Sequence, residues 1–404
     1  MLKKINVKHL KLGMYLQEIC GSWMDHPFWK KSFELTDPKD LKTLTECGIH
    51  EVWIDTAKGL DVESEVNTRS TEETDQKINA SLQQAAQAAA KPVTRVSVHE
   101  EVEQARKIHT KAKEAVTLMF QEARMGKALQ LDEIATLVDD ISMSITRNPE
   151  AFLSLSRLKN KDNYTYLHSV AVCALMIALG KQMDLDPALT KDLGMAGLLH
   201  DVGKMMIPDD ILNKPGRLTD EEFTIVKNHP LQGWDILKGS EGVCSMALDV
   251  CLHHHERVDG AGYPDKLSGE TLSLYARMGA VCDVYDAITS NRCYKAGWEP
   301  AEAIRKMAEW QEGQFDSIVF HAFVKTIGIY PSGTLVKLKS TRLAVVLEQS
   351  EKSLLTPVVK VFFSTSANAP LQPEIIDLAQ SADSILNAED PKKWRFDMKK
   401  LTGI

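Results

Sequence analysis

The sequence has no run of about 18 consecutive apolar residues, the length that a membrane-spanning helix requires. It begins Met1-Leu2-Lys3-Lys4 and continues with alternating residues instead of the apolar segment of a secretory signal. Its seven cysteines are scattered and form no Cys-x-x-Cys pair, which is typical of reduced thiols and not of a disulfide framework. We therefore expect a cytoplasmic protein without a membrane span.

The chain also lacks an excess of basic residues. Its 48 Lys and Arg against 56 Asp and Glu leave a formal net charge of −8. This balance argues against a nucleic-acid polymer as a partner, because phosphate backbones are bound by basic faces. A small anionic ligand needs only a locally positive pocket, so the overall charge leaves such a ligand open. A Walker-type glycine loop for phosphates is absent from the sequence as well.

Length and patterning divide the 404 residues into several units, because single cores rarely extend beyond ~250–300 residues. Residues 1–60 alternate in strand-like pieces, 149–330 follow a helical period, and 331–404 change to the two-residue period of strands. Residues 61–96 are polar and then Ala/Gln-rich, which favours a linker, and residues 97–148 are typical of two connecting helices. The predicted fold class is mainly α: an all-helical bundle, a small α+β module before it and a small β-rich extension after it.

Histidine and aspartate residues recur through the helical part, each on a predicted helix or at a helix end. They are His168, His200, Asp201, His229, the run His253-His254-His255, and Asp283. Neutral imidazole and carboxylate suit first-row divalent metals, and two ions about 4 Å apart would clamp a phosphodiester. Any one of these histidines alone is better explained as a core or surface residue. The adjacent pair His200-Asp201 differs, because two polar groups at the end of an apolar helix are costly to bury without partners.

Two long segments resemble the signatures of the HD-GYP family, the branch of the HD phosphohydrolases that hydrolyses cyclic di-GMP in bacteria. They are LLHDVGKMMIPDDILNKPGRLT at 198–219 and HHERVDGAGYP at 254–264, and the similarity continues through HPLQGWDIL at 229–237 and ARMGAVCDVYDAITSNRCYK at 276–295. The resemblance implies an HD-type catalytic bundle for residues 149–330. Residues 1–60, with a Trp/Phe-rich segment at 23–29, resemble a domain of unknown function that often precedes such bundles. That second resemblance implies no activity.

The HD-GYP resemblance implies ligands for two divalent ions, carried over position by position. They are His168, His200, Asp201, His229, His254, His255 and Asp283. Asp201 is implied as the bridging ligand, because an aspartate can offer one oxygen to each ion, and His253 is left as a structural residue. Family members with a third ion carry a glutamate where this chain has Tyr164, so the two-metal kind is implied. Iron or manganese is favoured, and nickel, cobalt and zinc remain chemically open.

Three basic residues are implied to act on the substrate phosphates. Lys204, one turn after Asp201, would stabilise negative charge that develops on a phosphoryl oxygen. Arg292 and Lys295 would bind the phosphates of the ligand, and their spacing places both on one face of a helix. A lysine at a helix end is otherwise most simply a solvated residue, and it is the motif that favours the functional interpretation.

The second signature ends in a loop that would line the ligand pocket. Gly262, Tyr263 and Pro264 form a turn in which glycine permits positive φ and proline fixes φ, and the tyrosine offers a ring and a hydroxyl. Asp286, one turn after Asp283, would orient a metal ligand through a hydrogen bond. Such a loop alone would be structural, and the preceding His-His-Glu gives it the functional interpretation.

The implied function is a two-metal phosphodiesterase that hydrolyses cyclic di-GMP to pGpG, and in some members to GMP, by attack of a hydroxide that bridges the metals. Such an enzyme lowers the level of the second messenger. Two alternatives stay open: hydrolysis of another cyclic dinucleotide, such as cyclic GMP-AMP, and a sensor of cyclic di-GMP that does not turn it over. The complete ligand set and Gly-Tyr-Pro triplet count against the sensor. A dimer or signalling-protein partner, held through the N-terminal module or this loop, is also left open.

Overall fold

The computed structural model describes residues 1–21, 26, 28, 32–63, 66–86, 96–127, 129, 131–156, 164–214, 216–290, 297–350, 353–394, 396, 398 and 401. Two predicted phosphate-binding residues, Arg292 and Lys295, lie outside these ranges, and so do the side chain of Tyr164 and most of residues 23–29.

The N-terminal module is a four-stranded antiparallel sheet with one helix, as predicted. Its elements are β1 Leu2–Asn6, β2 Tyr15–Ile19, β3 Phe33–Glu34, helix α1 Pro38–Glu46 and β4 Glu51–Asp55, with the strand order β1-β4-β2-β3. Helix α1 begins at Asp37, whose carboxylate accepts a hydrogen bond from the backbone N–H of Lys39 at 2.8 Å. Its apolar core is separate from that of the bundle and includes Leu16, Leu44 and Ile54.

Part of the segment at residues 61–96, which its polar composition predicts to be a linker and partly helical at most, forms a packed helix. Thr71–Ala86 forms helix α2, which packs against α13 (Pro300–Gln314) and α14 (Ser317–Ile327) of the bundle. The buried side chains Ile78, Leu82 and Ala85 make a narrow apolar stripe along α2. The polar composition of the segment conceals this stripe, because every other face of the helix is solvated.

The helical bundle begins with the two predicted connecting helices, α3 Val98–Arg124 and α4 Leu131–Arg147. The helices that follow are α5 Pro149–Ser156, α6 Tyr164–Gln182, α7 Pro187–Leu199, α8 Asp209–Leu212, α9 Asp220–Lys227, α10 His229–Lys238, α11 Ser245–His253, α12 Leu274–Thr289, α13 and α14. Helix α6 is apolar nearly all round and lies at the centre, in contact with α3, α4, α5, α7, α12 and α14. A helix of this kind is stable only when it is buried on all sides.

The C-terminal extension is a five-stranded antiparallel sheet. Its strands are β5 Leu335–Leu338, β6 Arg342–Glu348, β7 Val358–Ser364, β8 Ala369–Asp377 and β9 Ile385–Ala388, in the order β8-β7-β6-β5-β9, followed by the short helix α15 Pro391–Trp394. The carboxylate of Glu150 joins the sheet to the bundle, accepting hydrogen bonds from Ser332 Oγ and from the backbone N–H of Gln349, both at 2.9 Å. Within the residues described above, no helix combines the length and apolar character needed to cross a membrane.

Candidate metal centre

The structure brings all seven predicted ligands into one buried cluster near the middle of the bundle. They are His168 on α6, His200 and Asp201 at the end of α7, His229 at the start of α10, His254 and His255 just after α11, and Asp283 on α12. Their exposed fractions lie between 0 and 9 %. Five of the seven, His200, Asp201, His229, His254 and His255, come from helix ends, where the chain changes direction. Adjacent side chains such as those of His254 and His255 can therefore both face the same centre.

Among the described residues, three groups of three donor atoms lie within 4.8 Å of one another. One group, His200 with Asp201 and His254, overlaps both of the others, which share no residue with each other. The first of these other two is His168, His200 and Asp283, and the second is His229, His254 and His255. The names first trio and second trio are used for them below.

Asp201 lies between the two trios and presents a different oxygen to each. Its Oδ2 atom is 3.4 Å from Nε2 of His168 and 3.5 Å from Nε2 of His200. Its Oδ1 atom is 3.3 Å from Nε2 of His229 and 3.7 Å from Nε2 of His254. This arrangement fits the bridging position that was predicted for Asp201.

Backbone carbonyl groups fix the orientation of three of the histidines. A carbonyl oxygen can only accept, so each Nδ1 atom must carry the hydrogen, and Nε2 is the ring atom turned toward the cluster. The pairs are His200 with Gly197 at 2.8 Å, His229 with Val226 at 2.7 Å, and His254 with Cys251 at 3.0 Å.

A carboxylate orients the fourth histidine. Nδ1 of His168 lies 2.6 Å from Oδ2 of Asp286, and Nε2 of the same ring lies 2.9 Å from Oδ1 of Asp283. The carboxylate–histidine contact is the kind that fixes ring orientation and tautomer in metal sites. Asp286 is thus placed where the prediction of an orienting partner requires it.

The protonation states of three of the predicted ligands also suit metal binding. Burial lowers the pKa of His254 to about 3 and lowers the pKa of His255 well below its ordinary value, so both rings are neutral at pH 7. Burial alone would raise the pKa of Asp201, but Lys204 and His200 hold that pKa well below its usual range. Neutral imidazoles and ionised carboxylates are the forms that bind divalent metals.

The cluster leaves buried polar atoms unsatisfied. Among the described residues, Nε2 of His200 and Nε2 of His255 have no hydrogen-bond partner. An unpaired buried group of this kind costs about 1–3 kcal/mol. Coordination would satisfy both atoms, and a set of imidazoles and carboxylates without thiolate fits iron, manganese, cobalt, nickel or zinc. The residues present therefore fit two divalent ions.

Lys204 points into the cluster and not into solvent. Its Nζ donates to Oδ2 of Asp201 at 2.5 Å, and its side chain is only 9 % exposed. The turn at Val202–Met206 that carries Lys204 packs closely on α10. The approach is so close that a side chain on Gly203 would overlap the backbone of His229 and Gly233. Glycine after the His-Asp pair therefore allows the lysine to reach the metal centre.

Two family models match the chain: a domain of unknown function, DUF3391, over residues 2–134, and an HD domain over residues 141–319. The chain is 52 % identical over 399 residues to the cyclic di-GMP phosphodiesterase PA4108 of Pseudomonas aeruginosa, covering 98 % of this chain and 94 % of that protein. The chain belongs to the HD-GYP family of HD-domain phosphodiesterases. The DUF3391 match ends within α4, so its limits differ from the proposed domain boundaries at residues 60, 96 and 148.

Other proteins resemble this chain over shorter stretches. A 3′3′-cGAMP-specific phosphodiesterase 1 of Vibrio cholerae is 35 % identical over 179 residues, which cover 43 % of this chain and 41 % of that protein. Among solved structures, the HD-GYP-like protein Bd1817 of Bdellovibrio bacteriovorus matches with a TM-score of 0.45 and 15 % identity, over 81 % of this chain and 98 % of that chain.

The Gly262-Tyr263-Pro264 loop of this HD-GYP domain covers one side of the centre. The Tyr263 ring stacks on the imidazole of His255, with 4.8 Å between the centroids and 23° between the planes. The backbone N–H of Tyr263 also donates to the carbonyl of His255 at 3.3 Å. The loop predicted to line the pocket therefore contacts a predicted ligand directly.

Sequence reasoning missed a second cation at this side of the HD-GYP centre. Nζ of Lys227, in the last turn of α9, lies 4.9 Å from the centroid of the Tyr263 ring. A lysine at this position is also the ordinary complement of a helix C-terminus, so the pattern offers no separate signal for it.

His253 is turned away from the cluster. Its Nδ1 atom lies 2.8 Å from Asp249 and its Nε2 atom 3.1 Å from Asp265, so both ring nitrogens are engaged by carboxylates outside the centre. This placement agrees with a structural role. Tyr164 stands where relatives with a third ion carry a glutamate, and its side chain lies outside the described residues.

Proposed function

We propose that the protein is a two-metal phosphodiesterase that hydrolyses cyclic di-GMP to the linear dinucleotide pGpG. The observation that carries the proposal is the pair of buried trios joined by the two oxygens of Asp201. The substrate class is supported by the Pseudomonas aeruginosa relative, which resembles this chain over nearly the whole length of both proteins.

The first trio would hold one ion and the second trio the other, with Asp201 between them. Bound divalent ions supply Lewis acidity toward phosphate oxygens and a nucleophilic water at neutral pH. Iron or manganese is proposed, since nitrogen and oxygen ligands in this proportion suit both metals. The Tyr164 position favours two ions over three.

The side chains of the protein then bind and orient the substrate. The ammonium group of Lys204, already directed at Asp201, would stabilise negative charge on the scissile phosphate. Tyr263 would offer its ring to a guanine base, and Asp286 holds the ring of His168 in place. Arg292 and Lys295 would bind the phosphates. A dimer or a protein partner stays a prediction.

The test is to load the purified protein separately with Fe(II) or Mn(II), incubate it with cyclic di-GMP and separate the products by chromatography. We expect pGpG from the wild type and from Asp210→Ala, a change at an exposed carboxylate nine positions after Asp201 in the sequence. Asp201→Ala should give no product. Turnover of cyclic GMP-AMP alone would contradict the proposed substrate, and tight binding without turnover would favour the sensor.

A further inference from the structure

The N-terminal module touches the loop that carries Tyr263. Nε2 of His50, just before β4, lies 2.9 Å from Oδ2 of Asp259 in the second signature. These residues are separated by 209 positions in the chain. The imidazole is about half exposed, whereas the carboxylate is 18 % exposed. A module of unknown function thus makes a direct polar contact with the substrate-binding loop.

A second contact lies two residues earlier in the same turn. Gly48 has φ of 85°, and a side chain at this position would place its Cβ atom 2.7 Å from the carbonyl oxygen of Ala261. The backbone of the module therefore lies directly on the backbone of the loop. Glycine is required here by the positive φ and by the close approach together.

Asp259 organises the loop that His50 contacts. Its Oδ1 atom accepts a hydrogen bond from the backbone N–H of Ala261 at 2.9 Å, and its Oδ2 atom accepts one from Nη2 of Arg257 at 2.8 Å. Two residues beyond Ala261, the backbone N–H of Tyr263 donates a hydrogen bond to the carbonyl of His255, and the Tyr263 ring stacks on the His255 imidazole. A short covalent path therefore leads from the carboxylate that His50 contacts to the ring beside the metal centre.

The module is also fixed to the bundle at a second place, so it cannot drift away from the loop. Nζ of the buried Lys4 lies 3.0 Å from Glu51 and 3.1 Å from Glu309 of α13. The indole N–H of Trp53 donates to the same Glu309 carboxylate at 2.7 Å. Helix α13 in turn accepts the backbone N–H of Asp259 at the carbonyl of Gly313, at 3.0 Å.

We propose that the Gly48–His50 turn positions the Gly-Tyr-Pro loop for substrate, with His50 as the positioning residue. The module would thereby set how Tyr263 is presented to a base of the cyclic dinucleotide. The inference rests on the proposed function for the identity of this ligand. His50 contacts Asp259, which is not one of the seven predicted metal ligands. The contact therefore acts on substrate binding and leaves the metal ions in place.

The experiment compares His50→Ala with His50→Gln, whose amide can still donate to Asp259, and with His9→Ala, which removes an exposed histidine elsewhere in the module. The full chain is used, loaded with Mn(II). Steady-state kinetics give KM and kcat for cyclic di-GMP, and hydrogen exchange read by mass spectrometry follows the peptide at 257–266 without substrate. Metal content and Tm are measured for each variant.

We expect His50→Ala to raise KM about fivefold, the effect of losing one ordinary hydrogen bond, with kcat within twofold. Amides at 261–263 should exchange several times faster, while metal content stays at the wild-type value. His50→Gln and His9→Ala should match the wild type in KM and exchange.

Unchanged KM, or unchanged exchange of these amides, in His50→Ala would overturn the proposal. A fall in kcat accompanied by metal loss would overturn it too, because it would show that the contact supports the metal centre and not the loop. Failure of the proposed function is seen separately, as absence of turnover by the wild type. The exchange measurement needs no substrate and still decides whether His50 holds the loop.

Discussion

At the scale of single residues, hydrogen bonds with neighbouring groups orient four of the seven predicted ligands without a metal. His168 shows this most directly, because one ring nitrogen is held by Asp286 while the other faces Asp283 and Asp201. A ligand fixed in this way loses little conformational entropy when it binds an ion. The residues behind the ligands should therefore influence metal affinity almost as strongly as the ligands themselves.

Asp286→Ala tests the carboxylate behind His168. We expect the dissociation constant for Mn(II) to rise about 10–100-fold, as is usual when the orienting partner of a metal-bound histidine is lost. Titration of metal-free protein, with helix content checked by circular dichroism, measures it. The matched control is Asp210→Ala, at an exposed carboxylate. Equal affinity in the two variants would contradict the orienting role.

Lys204→Ala separates charge stabilisation from metal binding. Removal of one electrostatic donor at a transition state usually lowers kcat about 10²–10³-fold. We expect a fall of this size while most of the metal is retained, because the lysine contacts only Asp201 among the ligands named above. Single-turnover kinetics and metal analysis provide the two measurements.

Lys127→Ala, at an exposed lysine, serves as the control for Lys204→Ala. If the Lys204 variant loses metal in proportion to its activity, the lysine supports the ligand Asp201 and has no separate part in catalysis.

At the scale of elements, the sequence predicted what periodicity and motif determine. The bundle helices and the adjacent pair His200-Asp201 carry local signals, and the structure contains each of them. Helix α2 carries only a narrow apolar stripe in a polar segment, and its partners in the bundle, α13 and α14, lie more than 200 residues away. Its burial depends on tertiary contacts that no local pattern reports.

The contact between His50 and Asp259 could not be predicted for the same reason. Each residue is unremarkable in its own segment, and only the folding of the module onto α13 brings the two together. The seven ligands could be predicted from the sequence because the motif specifies them. The residue that contacts the loop could not, because it belongs to a different domain.

Leu82→Ala tests whether α2 is part of the folded core. The side chain is 5 % exposed and belongs to the main apolar cluster, so its truncation should lower the free energy of unfolding by about 2–4 kcal/mol. Urea unfolding followed by circular dichroism measures the change, and Gln83→Ala, on the exposed face of the same helix, is the control. A segment that is only a linker would lose less than about 0.5 kcal/mol in both variants.

At the scale of the whole molecule, the metal centre joins parts of the chain that are far apart in sequence. Its seven predicted ligands lie on or directly after α6, α7, α10, α11 and α12, or at the start of one of them, and the loop beside it contacts the N-terminal module through His50. The C-terminal sheet is joined to α5 through Glu150 and contributes none of the seven predicted ligands. Metal binding should therefore stabilise the bundle as a unit.

Removal of metal tests this coupling, because an ion that binds only the folded state stabilises it by mass action. At a free metal concentration about 100 times the dissociation constant, the gain is ~2.7 kcal/mol, which corresponds to a rise in Tm of roughly 5–10 °C for a bundle of this size. Scanning calorimetry of the Mn(II)-loaded and chelator-treated protein should show this shift. In Asp201→Ala the shift should be much smaller, since the residue between the trios is gone. An equal shift in both proteins would place the stabilising ion outside the proposed centre.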